Sequence, residues 1–445
     1  MPRGKLLRIT TVPQSLKILL KGQLGYMKSQ GFEVIGISSP GNEIKCIIED
    51  QGVQVYKVSM SRQITPLKDL LALFKLILFF KKENPVIVHT HTPKAGILGM
   101  LAAKVTNVPI RLHTVAGMPL MEAKGYKKTV LESVEKLTYF CASKVYPNSK
   151  GLESFILENN YAKKEKVKLL ANGSTNGIDT SYFNSEIYTQ QQNLFLKKQL
   201  GIPEHSFVFI FVGRLVADKG IKELVHAFKA YCSKGIGDKI HIPDNLLSSP
   251  LRVSREMISL TDSGISPNRI ELNSQLGIKK VVRTAPINRN VKLLLVGPYE
   301  THLDPLDRET IDEIENNPNI ISVGFQEEVR PYFAVSDALV FPSYREGFPN
   351  VVMQAGAMNL PSIVSDIIGC NEIIIDGKNG IIIPPKDTKE LENAMQRLVE
   401  DSLLFKRLKS QARELIITRY EQVVVWEALL DEYVKLLEKT KNKCY

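Results

Sequence analysis

With 445 residues, 44% hydrophobic and 24% charged, the chain is too long for one ordinary core and has the composition of a folded soluble protein. The formal net charge of +11 is unusual; such a surface suits nucleic acid, anionic lipid or phosphorylated ligands, or serves solubility alone. The cysteines Cys46, Cys141, Cys232, Cys370 and Cys444 share no paired spacing, which argues against a disulfide framework and a cysteine zinc site.

Met1 to Lys5 runs straight into a strand pattern and lacks a signal peptide's apolar core. Leu6 to Thr10 reads as a strand, Ser15 to Gln30 as a helix, and Phe32 to Ile37 and Val53 to Val58 as strands. Leu67 to Lys82 reads as a helix that is apolar nearly all round. Its apolar run, Leu70 to Phe80, is broken by Lys75 and is too short to span a bilayer. Val86 to His89 is a short buried strand, Lys94 to Thr106 a helix, Ile110 to Val115 a strand. Further strands are expected near Lys144 to Tyr146 and Val167 to Leu170, followed by the turn-rich stretch Ala171 to Asp179. This alternation predicts an α/β protein with parallel sheets covered on both faces.

A second alternating unit begins at Phe207 to Gly213. It resumes at Lys292 to Gly297, Ile320 to Val323, Leu339 to Phe341 and Ser362 to Val364. A helix near Lys219 to Cys232 precedes a weakly periodic stretch, about 233–290, expected to be an insertion. Tyr420 to Lys441 reads as a final helix with Val423, Trp426, Leu429, Leu430, Tyr433 and Leu436 on one face. The expected organisation is 1–190, 191–420 with the insertion, and 421–445 as a helix packing back on the N-terminal domain.

Two sequence runs carry chemistry. Arg345-Glu346-Gly347-Phe348-Pro349-Asn350-Val351-Val352-Met353-Gln354 follows the strand that ends at Phe341 and opens a helix. In an open parallel sheet that edge is where ligands bind, and the new helix offers free N–H groups to a phosphate. A carboxylate for hydroxyls beside donors for phosphate suggests a sugar joined to a nucleotide. Gly213-Arg214-Leu215-Val216-Ala217-Asp218-Lys219-Gly220 repeats the placement with two cations that can converge on a diphosphate. No G-x-G-x-x-G follows the first strand, so a nicotinamide or flavin dinucleotide is disfavoured. The basic charge lacks the aromatic-interleaved motifs of nucleic-acid binders.

On these runs, together with Val296-Gly297, Ser336-Asp337, Pro342-Ser343, Pro361 to Asp366, Gly369-x-Asn371-Glu372 and Asn379-Gly380, the chain resembles retaining glycosyltransferases of family 4, and among them bacterial enzymes of capsular and surface-polysaccharide synthesis. The resemblance implies the GT-B fold: two Rossmann-like, doubly wound parallel-sheet domains facing a cleft. It implies a metal-independent, hexosyltransferase-type enzyme without cofactor. Such an enzyme takes a nucleotide-sugar, expected to be a UDP-sugar, to a saccharide or lipid-linked saccharide acceptor.

It also implies roles. Glu346 and His113 are the catalytic candidates, with Glu346 accepting from donor-sugar hydroxyls. Arg214 and Lys219 would hold the diphosphate, and Gly22, Phe348, Pro349, Asn350 and Gln354 complete the donor-binding set. The family pattern is Glu, seven residues, Glu; here the second position is Gln354, whose carbonyl still accepts and whose amide also donates. His89, His91 and His113 fall at neighbouring strand ends without a carboxylate cluster, so no metal is expected. The missing signal peptide leads to the expectation of a cytoplasmic protein. The apolar segments bordered by lysine at Leu67 to Lys82 and Lys124 to Lys136 fit either helices packed on the sheet with basic ends or contact with the inner face of a membrane, and the lipid-linked acceptors of the resembling enzymes tilt the expectation to the membrane. Two other functions fit the same residues less fully: a nucleotide-sugar 2-epimerase of the same architecture, and a non-catalytic basic protein binding lipid or nucleic acid.

Overall fold

The computed structural model describes residues 3–61, 63, 65–121, 123–237, 290–300, 302 and 304–442. Most of the expected insertion at about 233–290 lies outside them; its first residues continue the helix Ile221–Gly237.

Twelve strands form two six-stranded sheets among the described residues. The first holds β1 Lys5–Ile9, β2 Glu33–Ser38, β3 Gln54–Lys57, β4 Ile87–Thr90, β5 Ile110–Val115 and β6 Lys144–Pro147, in the order β3-β2-β1-β4-β5-β6. The second holds β7 Phe207–Val212, β8 Val291–Val296, β9 Ile320–Ser322, β10 Ala338–Phe341, β11 Ser362–Ser365 and β12 Gly380–Ile383, in the order β12-β11-β10-β7-β8-β9. Every pairing is parallel. Both are doubly wound, and the direction of winding reverses between β1 and β4 and between β7 and β10. Ligands of such sheets bind beyond the carboxyl ends of the strands at that reversal.

Near-continuous burial explains the central strands. Phe207 to Phe211 and Val291 to Val296 are buried throughout, as expected where helices cover both faces. The helix expected from Ser15 to Gln30 is two helices, Pro13–Leu19 and Gln23–Ser29. The break falls at Gly22, whose φ of 78° is left-handed.

The last helix, Gln422–Lys441, leaves the second half and packs on the first: Leu429 and Tyr433 share a core with Leu16, Leu24, Phe32 and Tyr146. Its buried face differs from the periodic reading. Val423 is exposed, whereas Val425 and Glu432 are buried. Glu432 is admitted because Lys168 and the Tyr146 hydroxyl meet its carboxylate.

Candidate active site

The loops after β7 and β10 flank the reversal in the second sheet and are tied together. Tyr344 N donates to the Asp218 carbonyl at 2.9 Å. Arg345 reaches Asp218 Oδ2 with Nη2 at 3.0 Å and Nε at 3.2 Å. This lacing brings Lys219 Nζ to 2.5 Å from Glu346 Oε1, while Ser343 Oγ donates to the same oxygen at 3.2 Å. Arg214 stands nearby with Nη1 2.8 Å from Glu300 Oε2. Both expected phosphate-binding cations are therefore already paired with carboxylates, which hold their side chains in place.

Of these residues, Arg214, Asp218, Lys219, Tyr344, Arg345 and Glu346 line one wall of a cleft of about 850 Å³. The other wall comes from the first half, with His91, Thr92, Pro93, His113, Met118 and Glu135 among its residues. The walls approach closely at Gly347, where a Cβ would lie 2.4 Å from the Ala116 carbonyl oxygen. His113, on β5, is only 3% exposed, and its Nδ1 is 2.7 Å from Thr90 Oγ1. Burial holds its pKa down to about 4, so the imidazole is neutral at pH 7. Glu135 is buried on the same wall, and desolvation pushes its carboxyl up.

Of the residues expected from sequence, Arg214, Lys219, Glu346 and His113 line this cleft together. Gly22 does not: it packs under Trp426, and a Cβ there would lie 2.7 Å from the indole Cη2. Phe348 is buried edge-on against Tyr420 at 5.4 Å. Pro349 opens the helix Asn350–Ala357, with Asn350 exposed and Gln354 half-buried, and none of these is in the cleft lining. Sequence reasoning missed Glu300 and Glu135, which join the site through the fold alone. Asp218 and Arg345 lie inside the two runs singled out, and their mutual attraction was the available signal. Among the described residues no group of three or more His, Cys, Asp or Glu is arranged to hold a metal ion.

The chain matches two family models. Residues 23–173 match the "Glycosyl transferase 4-like domain" and residues 272–401 match "Glycosyl transferases group 1". It is 29% identical over 443 residues, covering all of both chains, to the capsular polysaccharide biosynthesis glycosyltransferase CapM of Staphylococcus aureus. It is 25% identical over 412 residues (92% of this chain, 91% of the relative) to the UDP-Gal:alpha-D-GlcNAc-diphosphoundecaprenol alpha-1,3-galactosyltransferase of Escherichia coli. The structure of Anabaena HepE in complex with UDP and glucose superposes with a TM-score of 0.70 at 16% identity, covering 97% of this chain and all of that one. With both halves matched in sequence and both doubly wound sheets facing one cleft, the chain belongs to the GT-B glycosyltransferases.

Proposed function

We propose that the protein transfers a sugar, with retention at the anomeric carbon, from a UDP-sugar to a saccharide acceptor of surface-polysaccharide synthesis, free or lipid-linked. The observation that carries this reading is the Lys219–Glu346 pair beside Arg214, set across the cleft from a neutral His113. As the diphosphate departs, negative charge develops on it, and preorganised cations stabilise that charge. Lys219 and Arg214 supply two, which supports neutralisation by protein rather than by metal. Lys219 moving onto phosphate frees Glu346 to accept from sugar hydroxyls. No side chain caps the helix Asn350–Ala357, and because Val352 N already donates to the Pro349 carbonyl at 3.2 Å, the N–H groups ahead of it are the ones a phosphate reaching past the cleft lining would meet.

The relatives agree in chemistry: one is named for a UDP-sugar and a diphosphoundecaprenol acceptor, another for capsular polysaccharide. No helix among the described residues is long and apolar enough to cross a membrane. A lipid-linked acceptor would be met at the membrane surface, through exposed apolar and basic groups on Pro66–Glu83 and Gly125–Cys141.

The test is a panel of nucleotide-sugars assayed for protection against thermal unfolding, with and without a chelator, since a bound donor must stabilise the fold. It is followed by NMR of the product's anomeric configuration with N-acetylglucosaminyl-diphosphate lipid analogues as acceptors. Protection by a UDP-sugar and an axial product support the reading. Protection by none, or an inverted product, defeats it. Conversion of the nucleotide-sugar without acceptor would instead favour the epimerase.

A further inference from the structure

One side chain on the cleft wall carries a hydrogen-bond donor that the protein leaves unused. Arg8, on β1, is fully buried. Its Nε donates to His91 Nε2 at 3.0 Å and its Nη2 to Gln23 Oε1, while Nη1 has no partner. Gln23 is locked in that orientation, because its amide nitrogen donates to Asn176 Oδ1 at 3.1 Å and to the Thr175 carbonyl at 3.2 Å. A guanidinium has donors only, so His91 Nε2 must present its lone pair to Arg8. The imidazole is then neutral, and its one proton sits on Nδ1.

That Nδ1 is buried and has no hydrogen-bond partner. Leaving a buried donor unmet costs about 1–3 kcal/mol, so such a group calls for an explanation. The neighbouring His89 shows the contrast: its Nδ1 meets the Tyr433 hydroxyl at 2.6 Å and its Nε2 the Thr114 hydroxyl at 2.7 Å. His89 is structurally satisfied and His91 is not. His91 follows β4 at the reversal of the first sheet, and it lines the cleft beside Thr92 and His113. Burial and the charge of Arg8 also disfavour a second proton on the ring.

We propose that His91 binds the donor sugar, its Nδ1–H donating to a sugar hydroxyl oxygen, and that Arg8 is a positioning residue that fixes this tautomer. The assignment rests on the nucleotide-sugar reading above.

The experiment uses the full chain labelled with 15N-histidine, with the His91 signals identified by their loss in His91→Asn. Nδ1 should be the protonated nitrogen in the free protein. UDP-glucose, UDP-galactose and UDP-N-acetylglucosamine are then compared with UDP alone. A nucleotide-sugar that protects the fold should move the Nδ1 resonance, and UDP should not. In kinetics, His91→Asn, whose amide stands near the Nδ1 position but leaves Arg8 Nε without its acceptor, should lose less in kcat/KM than His91→Gln does. His91→Gln, whose amide stands near Nε2, should lose on the order of 10-fold. Arg8→Met should release the ring to the other tautomer, read directly from the 15N shifts, with circular dichroism to confirm folding; if that variant does not fold, Arg8→Gln, whose amide can accept from a protonated Nε2 as well as donate to a bare one, supplies the same reading.

A proton found on Nε2 overturns the proposal. So does a resonance that stays still while a nucleotide-sugar protects the protein, and so does equal movement by UDP, which would put the contact on the diphosphate. If no nucleotide-sugar protects, the parent reading fails first and this assignment with it.

Discussion

Lys219 Nζ and Glu346 Oε1 stand 2.5 Å apart across the winding reversal of the second sheet, one on the loop after β7 and the other on the loop after β10. Both side chains are largely buried, at 14% and 19% exposure. Each group therefore holds its partner where a nucleotide-sugar would need it, without substrate present. Positioning before binding lowers the cost of ordering during reaction.

Arg214→Ala and Lys219→Ala should each lower turnover by on the order of 10²-fold, more than they raise the donor Michaelis constant. Lys219→Ala also strands Glu346 with only the Ser343 hydroxyl, so the double variant should be less than additive with Glu346→Gln. Steady-state kinetics on the three single variants and the Lys219/Glu346 double variant checks this. Near-normal turnover in both cation variants would remove the phosphate role.

Glu346→Gln should fold as the parent does, because the amide still accepts from Lys219 and Ser343. It should lose most transfer activity, since a neutral amide accepts more weakly from sugar hydroxyls and from the cation. Circular dichroism reports the fold and radiolabel transfer the activity; a fully active variant shows that the carboxylate is dispensable.

Arg214, Lys219 and Glu346 were legible because their placement is local: each lies a few residues past a strand whose apolar run announces it. The parallel alternation was legible for the same reason. Long-range packing was not. Gly22 looks like a loop glycine near phosphate, yet its freedom is used to seat Trp426 from the last helix. The partner of Arg214 is Glu300, after β8, and no local spacing connects them. The face of the last helix was misread at Val423 and Glu432 because periodicity assumes that burial is apolar, and Lys168 makes burying Glu432 tolerable.

Stability should fall as the pH drops from about 6.5 towards 4. His113 takes up its proton near 6.5 in the unfolded chain and near 4 in the fold. Between those values the unfolded state binds more protons, so acid favours it. At pH 5 the loss from His113 alone is about 2 kcal/mol. His89 and His91, also lowered by burial, act in the same direction. Urea midpoints at pH 5 and pH 7 decide; equal midpoints would show that these histidines are accessible to protons in the fold.

Glu372 ties the two walls of the cleft. Its carboxylate, from the second half, accepts from Lys150 N at 2.7 Å and Gly151 N at 3.0 Å, at the start of the helix Lys150–Glu158 in the first half. A Cβ at Gly151 would lie 2.6 Å from the Ile368 side chain. Gly151→Val should push the halves apart, and Glu372→Ala should remove a cap worth about 1 kcal/mol. Small-angle scattering should show a larger radius of gyration for both variants, and the donor Michaelis constant should rise several-fold. Unchanged scattering in both would mean that other contacts hold the cleft closed.

The first half should bind anionic membranes reversibly. On the helix Pro66–Glu83, Leu67, Leu70, Leu71, Phe74 and Leu78 are all more than half exposed, and Lys68, Lys75, Lys81 and Lys82 are exposed around them. The helix Gly125–Cys141 adds Tyr126 and Phe140 with Lys127, Lys128 and Lys136. Both helices flank Pro93–Val105, so the two surfaces lie on one side of the first sheet. Each lysine near an anionic surface contributes about 1 kcal/mol, enough in combination for binding that salt undoes. At 1 M salt the screening length falls to about 3 Å. Co-sedimentation with phosphatidylglycerol vesicles should rise with anionic content and fall with salt. Leu70→Ser with Phe74→Ser should weaken it at low salt without disturbing the fold, since both side chains already face solvent. If neutral and anionic vesicles bind alike, or neither binds, the charge of +11 serves solubility and the acceptor need not lie in a membrane.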